Sequence, residues 1–281
     1  MTAVAKTKSR SMFRRANATI GGALIALALL AALIAQISTP YDPVALDFTA
    51  RLASPSASHW LGTDQFGRDV FSRLLSAASV SVTVSVLTVV LALSIGVTVG
   101  ALSGYFGGWI DRAVMTVVDA FMSLPGLLLA LALMAALGQS KWGVILALGL
   151  AYSPSVTRVV RGTTLSLREK EFVEASRAMG NADLFTIVRH IVPNCIGPLT
   201  VLATAFFAHA ILAESALSFL GLGVPPPYPS WGGMLADARS YFTFAPWLAI
   251  FPGLAISITL LGVNLFGDAL RDYFDPRMAL S

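Results

Sequence analysis

Long apolar stretches, separated by short polar segments, dominate the pattern of side chains along this chain. A helix that crosses a bilayer needs about 20 mostly apolar residues, because each residue adds only about 1.5 Å to its length. Six stretches reach or approach that length: residues 20–37, 80–100, 113–137, 144–160, 196–220 and 247–266. The pattern therefore predicts six membrane-spanning helices in an all-α integral membrane protein.

Three of these stretches contain a proline, namely Pro125, Pro154 and Pro252. Proline lacks the backbone N–H that an α-helix needs, and it usually bends the helix that contains it. The prolines are therefore expected to interrupt the third, fourth and sixth spans. Such bends either shape a passage that opens and closes or reflect ordinary packing, since proline is frequent in membrane helices.

The composition supports a membrane protein. Apolar residues make up 56% of the 281 positions and charged residues only 12%, whereas a soluble domain has about 25% charged residues. The 19 Lys and Arg residues outnumber the 15 acidic ones, but they lie between the apolar stretches. A nucleic-acid-binding protein needs such residues clustered on one face, so we expect no nucleic acid partner.

The basic residues instead predict an orientation, because cytoplasmic loops of membrane proteins carry an excess of Lys and Arg. With the N-terminus in the cytoplasm, 14 of the 19 basic residues lie on the cytoplasmic side. We therefore expect a multi-pass membrane protein with both termini in the cytoplasm. Cys195 then lies near the cytoplasmic end of the fifth span.

The chain divides into three predicted segments. Residues 1–15 form a basic cytoplasmic tail that has little to bury and is expected to be mobile. Residues 16–79 contain an anchor helix, which is expected to stay uncleaved because its apolar stretch is long and no clear cleavage site follows, and an extracytoplasmic amphipathic segment. Residues 80–281 form a five-helix core that includes a long cytoplasmic loop at 161–195.

The extracytoplasmic segment contains a predicted helix at residues 63–75. Phe66, Val70 and Leu74 recur every four residues and give this helix one apolar face. Asp69 and Arg73 have the i, i+4 spacing that favours an ion pair on a helix surface. We expect the helix to lie on the membrane surface or on the protein itself.

The segment 171–194 is too polar to enter the membrane, yet its pattern is helical. Phe172, Ala175 and Met179 recur at i, i+3 and i+7 and form one apolar stripe. Gly180 follows, and glycine permits the left-handed turn that ends many helices. Connections in helix bundles usually have about 2–8 residues, so the longer loop predicts a docking surface for a partner rather than a simple connection.

A second helix is predicted for residues 184–191, which lead into the fifth span. Asn181 or Asp183 is expected to cap its start, because either side chain can accept a hydrogen bond from the first turn. Pro193 is expected to end the helix. The segment is therefore predicted to be a helical hairpin with a glycine turn.

The string Glu174-Ala175-Ser176, with Gly180 shortly after it and Ile191-Val192-Pro193 further on, resembles the EAA loop of ABC importer membrane subunits. Ser replaces the third residue of E-A-A, and Val replaces the Leu of I-x-L-P. In that family the first helix of the loop is a coupling helix, which sits in a groove of the ATP-hydrolysing subunit. The resemblance implies a role in ATPase coupling for Phe172, Glu174, Ala175, Arg177, Met179 and Gly180.

Two further strings, LGTDQFGRDVFSRLL at 61–75 and LSFLGLGVPPPYPSWGGML at 217–235, resemble the C-type permease subunit of the dipeptide/oligopeptide/nickel ABC importers. The resemblance implies the type I importer permease architecture in the lipid of the bacterial cytoplasmic (inner) membrane. It also implies a homologous B-type permease subunit, two ATP-binding subunits or one fused ATPase, and an extracytoplasmic solute-binding protein. ATP and Mg would be bound by the ATPase subunits, and no cofactor by this chain.

Other functions fit the sequence less well. The chain lacks the P-loop motif G-x-x-x-x-G-K-[ST], so we do not expect it to be an enzyme that hydrolyses ATP. A secondary transporter usually has two matching halves with broken helices, and an intramembrane enzyme needs a nucleophile with its base; neither pattern is evident. A peptide is the expected cargo because no metal-ligand cluster is present, and nickel or a nickel chelate is the alternative. Three histidines stand apart without ligand-spaced neighbours: His59, His190 and His209.

Two acidic residues fall inside predicted spans. An ionisable group at the membrane centre costs about 2.5–3.5 kcal/mol, so Asp119 and Glu214 are expected to face the protein interior. They either form hydrogen bonds between helices, which we favour, or line the translocation path. The loop 221–233, with three consecutive prolines and Trp231, is expected to anchor the protein at the lipid boundary, although the family resemblance also allows contact with the binding protein.

Overall fold

The computed structural model describes residues 2–274 of the chain, with the side chains of residues 16–273. In this part of the chain the backbone forms ten α-helices, joined by turns and short 3₁₀ or π segments, and no β-strand. The helices are α1 (Thr2–Ile37), α2 (Val70–Phe106), α3 (Gly108–Met122), α4 (Gly126–Leu137), α5 (Lys141–Leu167), α6 (Glu171–Ala178), α7 (Asp183–Thr186), α8 (Ile196–Phe219), α9 (Trp231–Ala238) and α10 (Trp247–Phe274).

The described residues contain five helical segments that are long and apolar enough to cross a membrane, and α3 with α4 makes a sixth candidate if this bent pair counts as one span. The predicted all-α class is therefore confirmed, and the described residues contain five of the predicted spans, or six when α3 and α4 are counted as one bent span. The predicted bounds were too short: α2 begins ten residues early, at Val70, and α5 extends past residues 144–160 at both ends. The backbone of α1 continues from Ile37 back to Thr2, into the segment predicted to be a mobile tail; the side chains of residues 1–15 lie outside the described part.

The predicted amphipathic helix at residues 63–75 is wrong. Residues 63–69 form turns, closed by an isolated bridge between Thr63 and Asp69, and α2 begins only at Val70. Gly67 has φ +76° and packs so closely on Asp47 that a Cβ would overlap the Asp47 carbonyl oxygen. A positive φ is incompatible with a right-handed helix, so the chain turns at Gly67. The predicted boundary between residues 79 and 80 consequently falls inside α2.

The predicted ion pair between Asp69 and Arg73 is also absent. The Asp69 carboxylate caps α2 by accepting hydrogen bonds from the backbone N–H and the hydroxyl of Ser72, both at 2.8 Å. The Arg73 guanidinium lies instead 3.4 Å from a carboxylate oxygen of Asp64 and 3.9 Å from one of Asp237 in α9. These contacts tie residues 63–69 to α2 and α9.

A stripe of small residues lets α2 and α5 pack closely. Gly96, Gly100 and Gly104 recur every four residues on the face of α2 that meets α5. A Cβ on Gly100 would lie 2.6 Å from the Thr157 carbonyl oxygen, and one on Gly104 would lie 2.8 Å from the Thr164 Cβ. Membrane helices associate through such small-xxx-small stripes because side-chain packing, not the hydrophobic effect, holds them together.

The prolines have different effects. The predicted break at Pro125 is confirmed and is sharp, because the axes of α3 and α4 differ by 94° across residues 123–125. The interruptions predicted at Pro154 and Pro252 are wrong, because both prolines lie inside the continuous helices α5 and α10. Neighbouring groups can satisfy the carbonyl that a proline leaves free in a membrane helix, so the helix can continue.

Candidate functional site

The hairpin forms at the end of α2 that is remote from residues 38–69, and we call this the hairpin end. Helix α6 is followed by a turn at Gly180, which has φ +78°, and then by α7. The predicted glycine turn is confirmed. After α7 the chain passes through a π-helical segment (Ile187–Ile191) and a 3₁₀ segment (Val192–Cys195) directly into α8. Pro193 therefore does not end the second helix, because it lies in the first turn of the 3₁₀ segment.

The predicted caps of the second helix are wrong. Ala182 is the N-cap residue of α7 and forms no side-chain hydrogen bond with it. Asn181 instead donates a hydrogen bond to the Ser176 hydroxyl at 3.2 Å, and the Ser176 and Thr186 hydroxyls lie 2.9 Å apart. Asp183 accepts a hydrogen bond from α2. Longer-range partners have replaced the local caps and hold the two arms of the hairpin together.

The two faces of α6 differ sharply. Val173 and Ser176 are fully buried against the rest of the protein. The predicted apolar stripe points the other way: Phe172 is 42% exposed, Met179 is 74% exposed, and Ala175 is exposed. The described chain thus leaves much of this stripe uncovered.

Three large apolar side chains of the second arm extend the exposed area. Leu184, Phe185 and Val188 are all exposed, and the His190 ring lies 6.0 Å from the Phe185 ring and 6.3 Å from the Phe172 ring. The aromatic contacts show that the two arms form one continuous surface. We define the hairpin surface by its six apolar members: Phe172, Ala175, Met179, Leu184, Phe185 and Val188.

The two charged residues of α6 behave differently. The Glu174 side chain is exposed and forms no hydrogen bond or ion pair with the described residues. Arg177, which was expected to contact a partner, is engaged inside the chain. Its Nε donates a hydrogen bond to the Tyr105 hydroxyl at 3.0 Å, and its guanidinium lies 4.5 Å from the centroid of the Tyr105 ring.

Tyr105 is the residue that the sequence did not reveal. It is buried in the last turn of α2, and its hydroxyl donates a hydrogen bond to the Asp183 carboxylate at 2.7 Å. One side chain therefore joins a membrane-spanning helix to both arms of the hairpin, through Arg177 of α6 and Asp183 of α7. Nothing in the local pattern marks a single tyrosine near a helix end, because its partners lie more than 70 residues away.

Two ion pairs join α3 to α5. Asp111 and Arg161 form a two-bonded pair that is largely shielded between the helices. Asp119 accepts a hydrogen bond from Arg158 at 2.6 Å, and this second pair is open, with side-chain exposures of 63% and 50%. Asp119, a predicted path candidate, therefore has an interhelical partner and is also exposed at the surface of the chain.

Glu214, the other path candidate, is fully buried in α8. Its carboxylate accepts hydrogen bonds from the Ser218 hydroxyl at 2.8 Å and from the Ser81 hydroxyl of α2 at 3.2 Å. The Ser81 oxygen also accepts a hydrogen bond from the backbone N–H of Trp231, at 3.2 Å. This geometry favours an interhelical role for Glu214, which joins α8 to α2 near the start of α9.

The end of the molecule opposite the hairpin contains the proline-rich loop. Trp231 does not act as the expected membrane anchor, because it is buried and its indole N–H donates to the Leu74 carbonyl oxygen of α2 at 3.3 Å. Beside the loop, Asp237 borders a cavity of ≈ 410 Å³. Burial raises the pKa of the Asp237 carboxyl, and the Arg73 and Arg68 guanidinium groups partly offset this rise.

One of the three histidines, His59, contacts an acidic side chain. His59 Nδ1 lies 2.9 Å from the Asp69 carboxylate, and its ring packs on Tyr41. Among the residues that the structure describes, no group of three His, Cys, Asp or Glu side chains is arranged to hold a metal ion.

Cys195 is buried directly before α8, beside residues of α2 and α5.

The sequence matches one protein family and is similar to several individual proteins. Residues 96–280 match the family described as binding-protein-dependent transport system inner membrane component. The chain is 44% identical to a peptide transport system permease protein of Brucella suis, over 96% of this chain and 91% of that protein. It is 41% identical to the dipeptide transport system permease protein DppC of Alkalihalophilus pseudofirmus, over 93% and 86% of the two chains.

A third relative and a solved structure extend the comparison. The chain is 40% identical to the glutathione transport system permease protein GsiD of Pectobacterium atrosepticum, over 96% of this chain and 90% of that one. A chain of the MetNI methionine ABC transporter in an inward facing conformation superimposes with a TM-score of 0.59. That match covers 72% of this chain and 96% of the other at 18% identity, so it supports the fold only.

Proposed function

The chain belongs to the family of binding-protein-dependent transport system inner membrane components, and we propose that it is the permease subunit of an ATP-driven ABC importer of peptides. In this proposal a homologous permease subunit completes the membrane passage. Two ATP-binding subunits, or one fused ATPase, hydrolyse ATP with Mg on the cytoplasmic side. An extracytoplasmic solute-binding protein delivers the cargo.

The exposed hairpin surface is the observation that carries this proposal. Phe172 and Met179 are exposed apolar side chains on a helix whose opposite face is buried. Burying apolar surface contributes about 25 cal/mol per Å², so a protein groove that covers these side chains would be stabilised. Glu174 has no partner among the described residues and is available to orient the docked subunit.

Movement of the docked hairpin would reach the membrane through α2. Tyr105 links α2 to both arms of the hairpin, and the glycine stripe of α2 packs directly on α5. A displacement of α6 would therefore shift two spans that are closely packed together. Arg177 has an internal role in this proposal, since it joins α6 to α2 and leaves Glu174 as the charged contact with the ATPase.

The names of the relatives support a peptide cargo over nickel. Those relatives are called peptide, dipeptide and glutathione transport permeases, and each is at least 40% identical over more than nine tenths of this chain. All three cargo classes are small molecules with amide bonds and free carboxylates. In the proposed orientation both termini and the hairpin end lie in the cytoplasm, as the distribution of basic residues predicts.

The test is co-expression with the partner permease and the ATPase subunits. We expect the wild-type chain to co-purify with the ATPase subunits. In proteoliposomes supplied with ATP and the binding protein, the complex should import labelled alanine peptides. Replacing Phe172 and Met179 together by Ser should strip the ATPases from the complex while leaving the two permease subunits paired. Retention of the ATPases by this double variant would refute docking through the hairpin surface.

A further inference from the structure

The exposed ion pair between Asp119 and Arg158 lies well away from the start of α3 and from the end of α5. Asp119 is eleven residues from Gly108 at the start of α3, about 16 Å along the helix axis. Arg158 is nine residues from Leu167 at the end of α5, about 14 Å along that helix. Arg158 lies in a membrane-span candidate, and Asp119 lies in the bent pair of α3 and α4 that makes the sixth candidate. A charged pair inside the bilayer cannot face lipid without a large cost, so it must face protein or water.

The chain next to this pair is also unsuited to face lipid. The break between α3 and α4 begins one turn after Asp119, whose carbonyl oxygen accepts the backbone N–H of Ser123. Residues 123–125 are not helical and are exposed. Non-helical backbone at membrane depth is tolerated only where protein covers it or where it lines a water-filled cavity. The break and the ion pair therefore face protein or water rather than lipid, and a passage completed by the proposed second permease subunit would supply both.

Arg158 has hydrogen-bonding capacity to spare. A guanidinium carries five N–H donors, and among the described residues only one of them has a partner, the Asp119 carboxylate. The neighbouring Arg161 is different, because Nε and a terminal nitrogen both bind Asp111 and the pair is shielded. The planar fork of Arg158 is thus free to take a second carboxylate in the two-bonded geometry that arginine favours.

We infer that Arg158 binds the carboxylate of the transported solute as it crosses the membrane, with Asp119 acting as the positioning residue. This inference rests on the proposed import of peptides. A peptide that leaves the binding protein must find polar partners inside the membrane, and its terminal carboxylate matches the guanidinium. Asp119 holds the Arg158 side chain in its position between α5 and α3 and competes with the solute, so that the carboxylate is bound without being trapped.

The experiment compares the two partners of the pair in the complete transporter. Import of labelled alanine di- and tripeptides is measured in proteoliposomes and normalised to assembled complex, so that folding defects do not count as lost transport. Arg158→Gln should lower import by roughly tenfold or more, as expected for the loss of a hydrogen bond between charged groups. Asp119→Asn removes only the positioning carboxylate and should lower it by about threefold.

Two further variants separate binding from simple helix attachment. The charge-exchanged chain, Asp119→Arg with Arg158→Asp, restores an ion pair but not the position of the guanidinium, so import should stay as low as with Arg158→Gln. Arg158→Lys keeps the charge without the fork and should import at an intermediate rate. The control is Asp111→Asn in the shielded pair, which should lower the yield of complex but not the import per complex.

Several results of these measurements would overturn the inference. Equal losses for Arg158→Gln and Asp119→Asn, recovery in the charge-exchanged chain, or wild-type import by Arg158→Lys would each overturn this inference. A larger loss for Asp119→Asn than for Arg158→Gln would overturn it as well, because the amino group of the peptide would then be the group recognised. If the wild-type complex binds its ATPases but imports no alanine peptide, the proposed cargo fails and this inference fails with it.

Discussion

The guanidinium of Arg177 lies 4.5 Å from the centroid of the Tyr105 ring, and its Nε donates to the hydroxyl of the same tyrosine. This contact joins the hairpin to the end of a 37-residue membrane helix. Apart from the buried side chains of Val173 and Ser176, it is the main link between α6 and the rest of the described chain. The strength of this link should set how tightly hairpin movement and passage movement are coupled.

The first prediction concerns the Tyr105 hydroxyl. Tyr105→Phe keeps the ring, and with it the cation–π contact of about 0.5–1 kcal/mol, but removes two hydrogen bonds that involve charged groups. We expect the ATPases to stay bound while the number of peptides imported per ATP hydrolysed falls severalfold. Tyr228→Phe, on the exposed loop at the opposite end, is the control and should keep the wild-type number of peptides imported per ATP hydrolysed, because it removes no contact of the hairpin. An unchanged import ratio for Tyr105→Phe would show that the hydroxyl plays no part in coupling.

The second prediction concerns the packing of α2 on α5. A Cβ on Gly100 would lie 2.6 Å from a backbone oxygen of α5, so Gly100→Ala should destabilise the protein by about 1–3 kcal/mol through overpacking. The matched control is Gly162→Ala in α5, where a Cβ would meet no atom within 4 Å. Thermal unfolding of the purified subunit in detergent measures both variants, and equal unfolding temperatures would contradict the close contact.

The third prediction concerns the turn of the hairpin. Gly180 has φ +78°, and a Cβ there would meet no atom of the described chain within 4 Å. Any effect inside the chain must therefore come from backbone strain, which costs about 1–2 kcal/mol for an ordinary residue in the left-handed region. Gly180→Val should abolish import, while Gly180→Asn, which tolerates this conformation, should retain part of it. Equal import by both variants would exclude strain as the cause.

The fourth prediction concerns orientation. In a Cys195→Ala background, a cysteine at Ser58 should react with an impermeant thiol reagent added outside intact cells, and one at Ser166 should not. Both positions are exposed in the structure, so access to the reagent depends on the side of the membrane. Labelling at Ser166 without labelling at Ser58 would reverse the proposed topology.

The length of the apolar stretches was enough to predict the spans, because a membrane helix must satisfy its own backbone and its length is fixed by the bilayer. The hairpin stripe and the Gly180 turn were predictable for a similar reason, since they depend on local periodicity and on one glycine. The helix expected at 63–75 failed because the same kind of periodicity was misleading there. Contacts of Gly67 with Asp47, a residue 20 positions earlier, decide the backbone at that point.

The candidate site was less predictable where it depends on distant pairs. The sequence marks Asp119 as an acid in a span, but nothing in it pairs Asp119 with Arg158, which by itself indicates only orientation. Tyr105 is not identifiable from the sequence for the same reason, because its two partners lie in another segment of the chain. The close approach of α2 and α5 has a sequence signal, the spacing of Gly96, Gly100 and Gly104, which indicates helix packing in membranes.

The most direct measurement of the central claim is the peptide-stimulated ATPase activity of the reconstituted complex with Glu174→Lys. This variant reverses the charge of an exposed side chain that has no partner among the described residues, so the subunit itself should remain folded and inserted. Losing a buried charged contact at an interface typically costs about 2–5 kcal/mol. We predict that stimulation and import are both abolished, while Glu169→Lys, also exposed but outside α6, leaves them intact. Wild-type stimulation and import by Glu174→Lys would contradict the account, because the hairpin would then be only a connection between two spans.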